Sequence, residues 1–133
     1  MDTEKDLSQH RIAQAEQCLM DAKLLLENGS YKSAANRAYY CAFHAMRSLL
    51  TLHKIDFKAH RGVISYFREH YIKTSIFDVK LSDILFGLLQ IRTDSDYDDY
   101  YDIDRDELKQ HLVDAEVFFK EIKAYLERTS IDA

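Results

Sequence analysis

The chain has no proline and only three glycines in 133 residues. An all-β fold needs many tight reversals and the residues that make them, so a chain this poor in turn-formers must be built from helices joined by short connections. Hydrophobic residues make up 47% and charged residues 31% of it, which suits one ordinary buried core and excludes disorder. The length fits a single domain over 1–133, with its core over about 8–127.

Apolar spacing and end signals predict five helices. The first runs from about Ser8 to Asn28, with Ile12, Ala15, Leu19, Ala22 and Leu26 on one stripe and Gly29 as its stop. Ser30 is placed to cap the second, from Tyr31 to about Lys54. A third covers roughly Ala59 to Tyr71, and a fourth runs from near Asp78 to Arg92 or slightly past it. The fifth opens with the capping pattern Asp104-Arg105-Asp106-Glu107 and carries Leu108, Leu112, Ala115, Phe119, Ile122 and Leu126. The expected fold is all-α, a five-helix, up-and-down antiparallel bundle.

Helix two is unusual because it carries three stripes. Ala35, Ala38, Ala42, Ala45, Leu49 and Leu52 form one apolar row, and Tyr39, Phe43, Met46 and Leu50 form a second beside it. One neighbour cannot cover both, so the helix is either central in the bundle or also lines a subunit interface. The third row is Arg37, Tyr40, His44 and Arg47, with Asn36 at its edge. It is either a solvated face with snorkelling side chains or one wall of a polar pocket.

The other wall of such a pocket would be Arg92. Leu81, Leu85, Leu88 and Arg92 share one face of the fourth helix, and a guanidinium stays charged on any face it occupies. Arg92 opens the stretch Arg92-Thr93-Asp94-Ser95-Asp96-Tyr97-Asp98-Asp99-Tyr100-Tyr101-Asp102. The helix is expected to end there, with Arg92 mostly buried and paired to Asp96 or another carboxylate of the loop, and with Tyr97, Tyr100 and Tyr101 packed back on the bundle in preference to stacking on bases.

Several chemistries find no support. The net charge of −5 and pI near 5.6 mean that any contact with nucleic acid must be local. Cys18 and Cys41 lack CxxC spacing and read as small buried thiols. The acidic stretch lacks the glycine and terminal glutamate of an EF-hand, and no Gly-rich phosphate loop or HExxH is present, so neither a metal nor a cofactor is expected. With no apolar run of membrane-spanning length and no signal-like N-terminus, a cytoplasmic protein away from membranes is expected.

Three segments resemble the HEPN domain, named for higher eukaryotes and prokaryotes nucleotide-binding. They are Ser33-Ala34-Ala35-Asn36-Arg37-Ala38-Tyr39-Tyr40-Cys41-Ala42-Phe43-His44, then Ala59-His60-Arg61-Gly62-Val63-Ile64, then Arg92-Thr93-Asp94-Ser95-Asp96-Tyr97. The resemblance covers about Ser8 to Glu127 and implies a five-helix bundle, commonly a homodimer. It also implies a partner, a minimal nucleotidyltransferase, in toxin–antitoxin pairs. Ribonuclease members of that family carry an arginine followed four to six residues later by a histidine, and cut RNA without metal. Here Arg92 matches the arginine, but Asp96 and Tyr97 stand where the histidine would be. An aspartate with pKa near 4 is a poor acid at neutral pH, and its charge repels phosphate.

The preferred reading is a dimeric module that binds nucleotide or RNA without cutting it, with Arg92, Asp96, Tyr97, Asn36, Arg37, Tyr40 and His44 as ligand-facing residues. An endoribonuclease toxin using Arg92 and His44 is one alternative. A helical adaptor without ligand is the other. Tyr97 would be the acceptor if a nucleotidyltransferase transferred AMP to the chain.

Overall fold

The computed structural model describes residues 3–98 and 100–132. Met1, Asp2 and Ala133 at the ends of the domain, and Asp99 of the acidic stretch, lie outside them. The order is α1 (Thr3–Glu27), α2 (Tyr31–Thr51), α3 (His60–Phe67), α4 (Lys80–Tyr97) and α5 (Arg105–Asp132). A single wide turn, Arg68–Ile72, extends α3. All the described regular structure is helical, and none of these helices is long and apolar enough to cross a membrane.

The ends follow from local chemistry. Gly29 takes φ +77°, which only glycine adopts without strain, so the Ser30 N–H turns back onto the Leu25 carbonyl at 2.9 Å and closes α1. The expected Ser30 cap does not form. At φ −88° and ψ 70° its hydroxyl bonds no first-turn N–H, and only its carbonyl serves α2, accepting from Ala34 N–H at 3.0 Å. Asp104 does cap α5, its Oδ2 accepting from Glu107 N–H at 2.9 Å.

Ion pairs record the antiparallel lie of α1 and α5: Lys23 with Glu116 at 3.2 Å, and Lys123 with Glu16 at 3.8 Å. Helix α2 is the central element, packing against α1, α3, α4 and α5. Ala35, Ala38, Ala42, Ala45 and Leu49 of its first stripe and Tyr39, Phe43, Met46 and Leu50 of its second are all buried within the one chain. Its surplus of apolar surface is therefore consumed internally. The reason that the sequence offered for a dimer is thereby removed, and an interface has to be sought elsewhere on the surface. Cys18 and Cys41 are buried free thiols, and burial raises the pKa of both.

Candidate functional site

The leucine stripe of α4 ends in Arg92, whose side chain reaches over α2. Its Cζ lies 4.8 Å from the Tyr39 ring centroid and 5.2 Å from that of Tyr40. These are cation–π distances, and they let a guanidinium stay charged at the edge of an apolar core. Arg37 approaches Tyr40 as well, at 5.1 Å, and is held there by two bonds to Asn36 Oδ1, from Nε at 3.1 Å and Nη2 at 2.8 Å. The stripe and the α4 arginine do meet.

The pairing of Arg92 with Asp96 differs from expectation. Helix α4 continues to Tyr97, so the two are separated by one helical turn, with Nε and Oδ2 3.3 Å apart and side chains 24% and 38% exposed. The contact is close but poorly aligned, and Arg92 Nε makes no hydrogen bond. A partly exposed pair of this kind contributes about 0.3–0.5 kcal/mol rather than the several expected of a buried one. Tyr97 and Tyr100 do not pack back either; they are 85% and 96% exposed, and of the three only Tyr101 lies against the core. The extra turn of α4 carries Tyr97 round to the solvent side.

His60 was not among the residues expected at the site, yet the structure puts it there. It is the first residue of α3, stacked on Phe43 at 4.0 Å between ring centroids, with Nδ1 3.0 Å from the Tyr39 hydroxyl. Burial pushes the pKa of the Tyr39 phenol up to about 12, so it stays a neutral partner at working pH. Burial, then the charges of Arg92 and Arg47, push that of His60 below its ordinary value. Its one signal in the sequence was its place in Ala59-His60-Arg61-Gly62, which says nothing about what α3 packs against.

His44 is half-buried beside Tyr40 and Phe43, at 6.0 and 5.9 Å between ring centroids. Burial, then Arg47, Arg37 and Arg11, lower its pKa from 6.5 to about 4. Arg47 pairs with Asp56 at 3.3 Å, and Arg11 reaches the same carboxylate at 3.6 Å while donating to Thr51 Oγ1. Burial works against ionisation of Asp56, but the Phe57 N–H, Arg47 and Arg11 overcome it and hold the carboxyl below its usual range. Among the described residues, the buried side-chain nitrogens without a hydrogen-bond partner are His44 Nδ1, Arg47 Nε and Arg92 Nε. All three belong to this cluster. Unpaired buried polar atoms are costly, and their concentration here sets this cluster apart from the rest of the bundle.

Alongside lies an open depression of about 410 Å³, lined by Phe43, Arg47, Asp56, Phe57, Lys58 and His60. Gly62 shapes its rim, since a Cβ there would sit 2.6 Å from Phe57 Cγ. On a protein of net charge −5, four arginines gather around two neutral imidazoles, with Asp56 and Asp96 as the carboxylates paired to them. Such an arrangement can hold an anion.

Comparison with known proteins agrees with the architecture. Residues 8–125 match the family model described as the HEPN domain. A UPF0332 protein of Thermotoga maritima is 29% identical over 127 residues, 96% of each chain. A UPF0332 protein of Archaeoglobus fulgidus is 34% identical over 113 residues, 85% of this chain and 90% of its own. A protein of Methanocaldococcus jannaschii that bears the name "Putative toxin" is 31% identical over 115 residues, 86% of this chain and 78% of its own. With a helical bundle and a match that spans nearly all its length, this chain belongs to the HEPN domain family.

Proposed function

We propose that this HEPN domain binds RNA or a nucleotide through its phosphate, held by Arg92 with Arg37 and Arg47; that it does so as a homodimer rests on the family resemblance alone. In this reading it is the HEPN half of a toxin–antitoxin-like pair with a minimal nucleotidyltransferase. The observation that carries the proposal is the cluster itself: Arg11, Arg37, Arg47 and Arg92 gather against only Asp56 and Asp96, a local excess of positive charge on an acidic protein. Anionic oxygens reaching the exposed parts of these guanidiniums would accept charge-assisted bonds. The toxin-like name of one relative supports the two-component setting.

Cleavage is the second reading, favoured by His60, which bonds Tyr39 and lies beside Tyr40, the two rings under Arg92. A neutral imidazole there could accept a proton. Metal-free cleavage also needs a group that gives a proton to the leaving oxygen near neutral pH, and in the unliganded protein burial and the arginines lower both imidazoles below their ordinary value. Binding without efficient cleavage is therefore preferred. Incubation of excess protein with total cellular RNA in chelator tests the choice. Retention of RNA that Arg92→Ala abolishes, without new fragments, supports binding; fragments lost in both Arg92→Ala and His60→Ala establish the nuclease.

A further inference from the structure

The depression next to the arginine cluster is large enough for a small organic group, within the roughly 300–1,000 Å³ of ligand clefts. Its notable lining residue is Phe57. The ring is 42% exposed, yet it is held in place on several sides. It rests on the backbone of Gly62, where any Cβ would collide with Cγ at 2.6 Å and Cδ1 at 2.7 Å. Its own N–H donates to Asp56 Oδ1 at 2.9 Å, and Asp56 is in turn clamped by Arg11 and Arg47. Tyr66 of α3 lies behind, 6.2 Å away between ring centroids. An exposed aromatic ring fixed in this way offers a flat apolar face without having to be ordered at binding.

Around that face the depression carries Arg47 and Lys58 as cations and the His60 imidazole as a hydrogen-bonding group. His60 also belongs to the other site, since its ring lies 5.6 Å from that of the partly exposed Tyr40, over which Arg92 sits at 5.2 Å. The two features thus share a residue and form one continuous surface from a guanidinium-rich end to an aromatic end. A ligand that matches it has a phosphate at one end and a planar heterocycle at the other.

We infer that the depression is a nucleoside subsite, in which the base of an unpaired nucleotide stacks on Phe57 while its phosphate is held by Arg47 and Arg92. This rests on the phosphate reading proposed above and adds the residue that would receive the base, Phe57, and with it the requirement that the base be unpaired, since a base inside a duplex has no face to offer. Stacking is tolerant of base identity because every base has a π face, so the subsite reads the presence of a base rather than which base it is.

The test uses two short probes of equal length and charge, a 2′-O-methyl oligouridylate and an abasic oligonucleotide, measured by fluorescence anisotropy. Neither can be cut through a 2′-hydroxyl. Wild-type protein is expected to prefer the base-bearing probe by roughly tenfold. Phe57→Leu, which keeps an apolar side chain against Gly62, should erase that preference while leaving abasic binding unchanged; Phe57→Tyr should retain it. Arg92→Ala should weaken both probes together. Arg92-dependent binding with no preference for bases, or a preference that survives Phe57→Leu, overturns the subsite and leaves the phosphate reading standing. Binding indifferent to Arg92 but sensitive to Phe57 overturns the phosphate reading instead. No binding of either probe overturns both.

Discussion

The Tyr39 hydroxyl and the Nδ1 atom of His60 lie 3.0 Å apart, and that bond ties the middle of α2 to the first turn of α3 beneath the Arg92 guanidinium. Tyr39→Phe keeps the ring, which is fully buried, and removes only the hydroxyl. The expected loss in stability is about 0.5–1.5 kcal/mol, the usual net value of one hydrogen bond. Urea denaturation reads it directly. A loss above about 3 kcal/mol, or none at all, contradicts a bond of ordinary strength.

His44 makes the fold sensitive to mild acid. Its pKa is lowered from 6.5 to about 4, so above pH 6.5 it is neutral in both folded and unfolded chains and contributes nothing to the pH dependence. Between pH 6.5 and about 4 the unfolded chain binds the proton and the folded chain does not, so stability falls as pH falls through that window. For a half-buried ring the loss should be on the order of 1–2 kcal/mol by pH 4.5. His44→Gln should flatten that part of the profile, measured as urea midpoints from pH 7.5 to 4.5.

Ligand binding should run the opposite way. Burial is the larger cause of the lowered pKa of His44 and His60 and the arginine charges the second; an anion among the arginines offsets that second part, so both rise and protons are taken up. Affinity for a phosphodiester, which does not itself titrate in this range, should therefore strengthen as pH drops from 7.5 to 5.5. The groups facing these imidazoles are Arg37, Arg47, Tyr39 and Tyr40 of α2, Arg11 of α1, Arg92 of α4, and Asp56 and Lys58 of the loop before α3. Calorimetry in two buffers of different ionisation enthalpy measures the protons taken up; a value of zero contradicts the linkage.

Gly62→Ala tests how tightly Phe57 is placed. The new Cβ would overlap the ring, which must turn away or push α3 outward, and overpacking of this kind typically costs about 1–3 kcal/mol. Thermal melts should show the loss, and Phe57→Ala in the same chain should recover part of it by removing the clash.

Most of the fold was readable because it rests on local rules. The glycine stop after α1, the aspartate cap of α5 and the leucine row of α4 are properties of a few adjacent residues. The joining of Arg92 to Tyr40, and through it to Arg37, was readable too, because each half lay on a helix face of known period. His60 was not, since its role depends on α3 crossing α2 at Tyr39 and Phe43, which no periodicity encodes. The end of α4 was misjudged for a related reason. Asp94, Ser95 and Asp96 suggest a stop, but Ser95 turns its hydroxyl back to the Ile91 carbonyl at 2.6 Å and is buried against the bundle, which carries the helix one turn further. Packing of Tyr97 and Tyr100 against the bundle, the preferred of the two options for them, fails for the same reason, and both face solvent.

Arg92 separates stability from function. Its ion pair is partly exposed and its two ring contacts lie at the edge of the core, so Arg92→Ala should cost about 1–2.5 kcal/mol in a denaturation experiment and leave the chain folded. A larger loss would mean that the guanidinium is chiefly a structural element of the α2–α4 packing.

Phosphate binding by the Arg92 cluster is tested most directly by the salt dependence of affinity for a 2′-O-methyl oligouridylate, comparing wild type with Arg92→Ala. Removing one phosphate-contacting arginine should weaken binding at every salt concentration and reduce the slope of log affinity against log salt by about one. Equal affinity and an unchanged slope in the folded variant would show that Arg92 holds no phosphate.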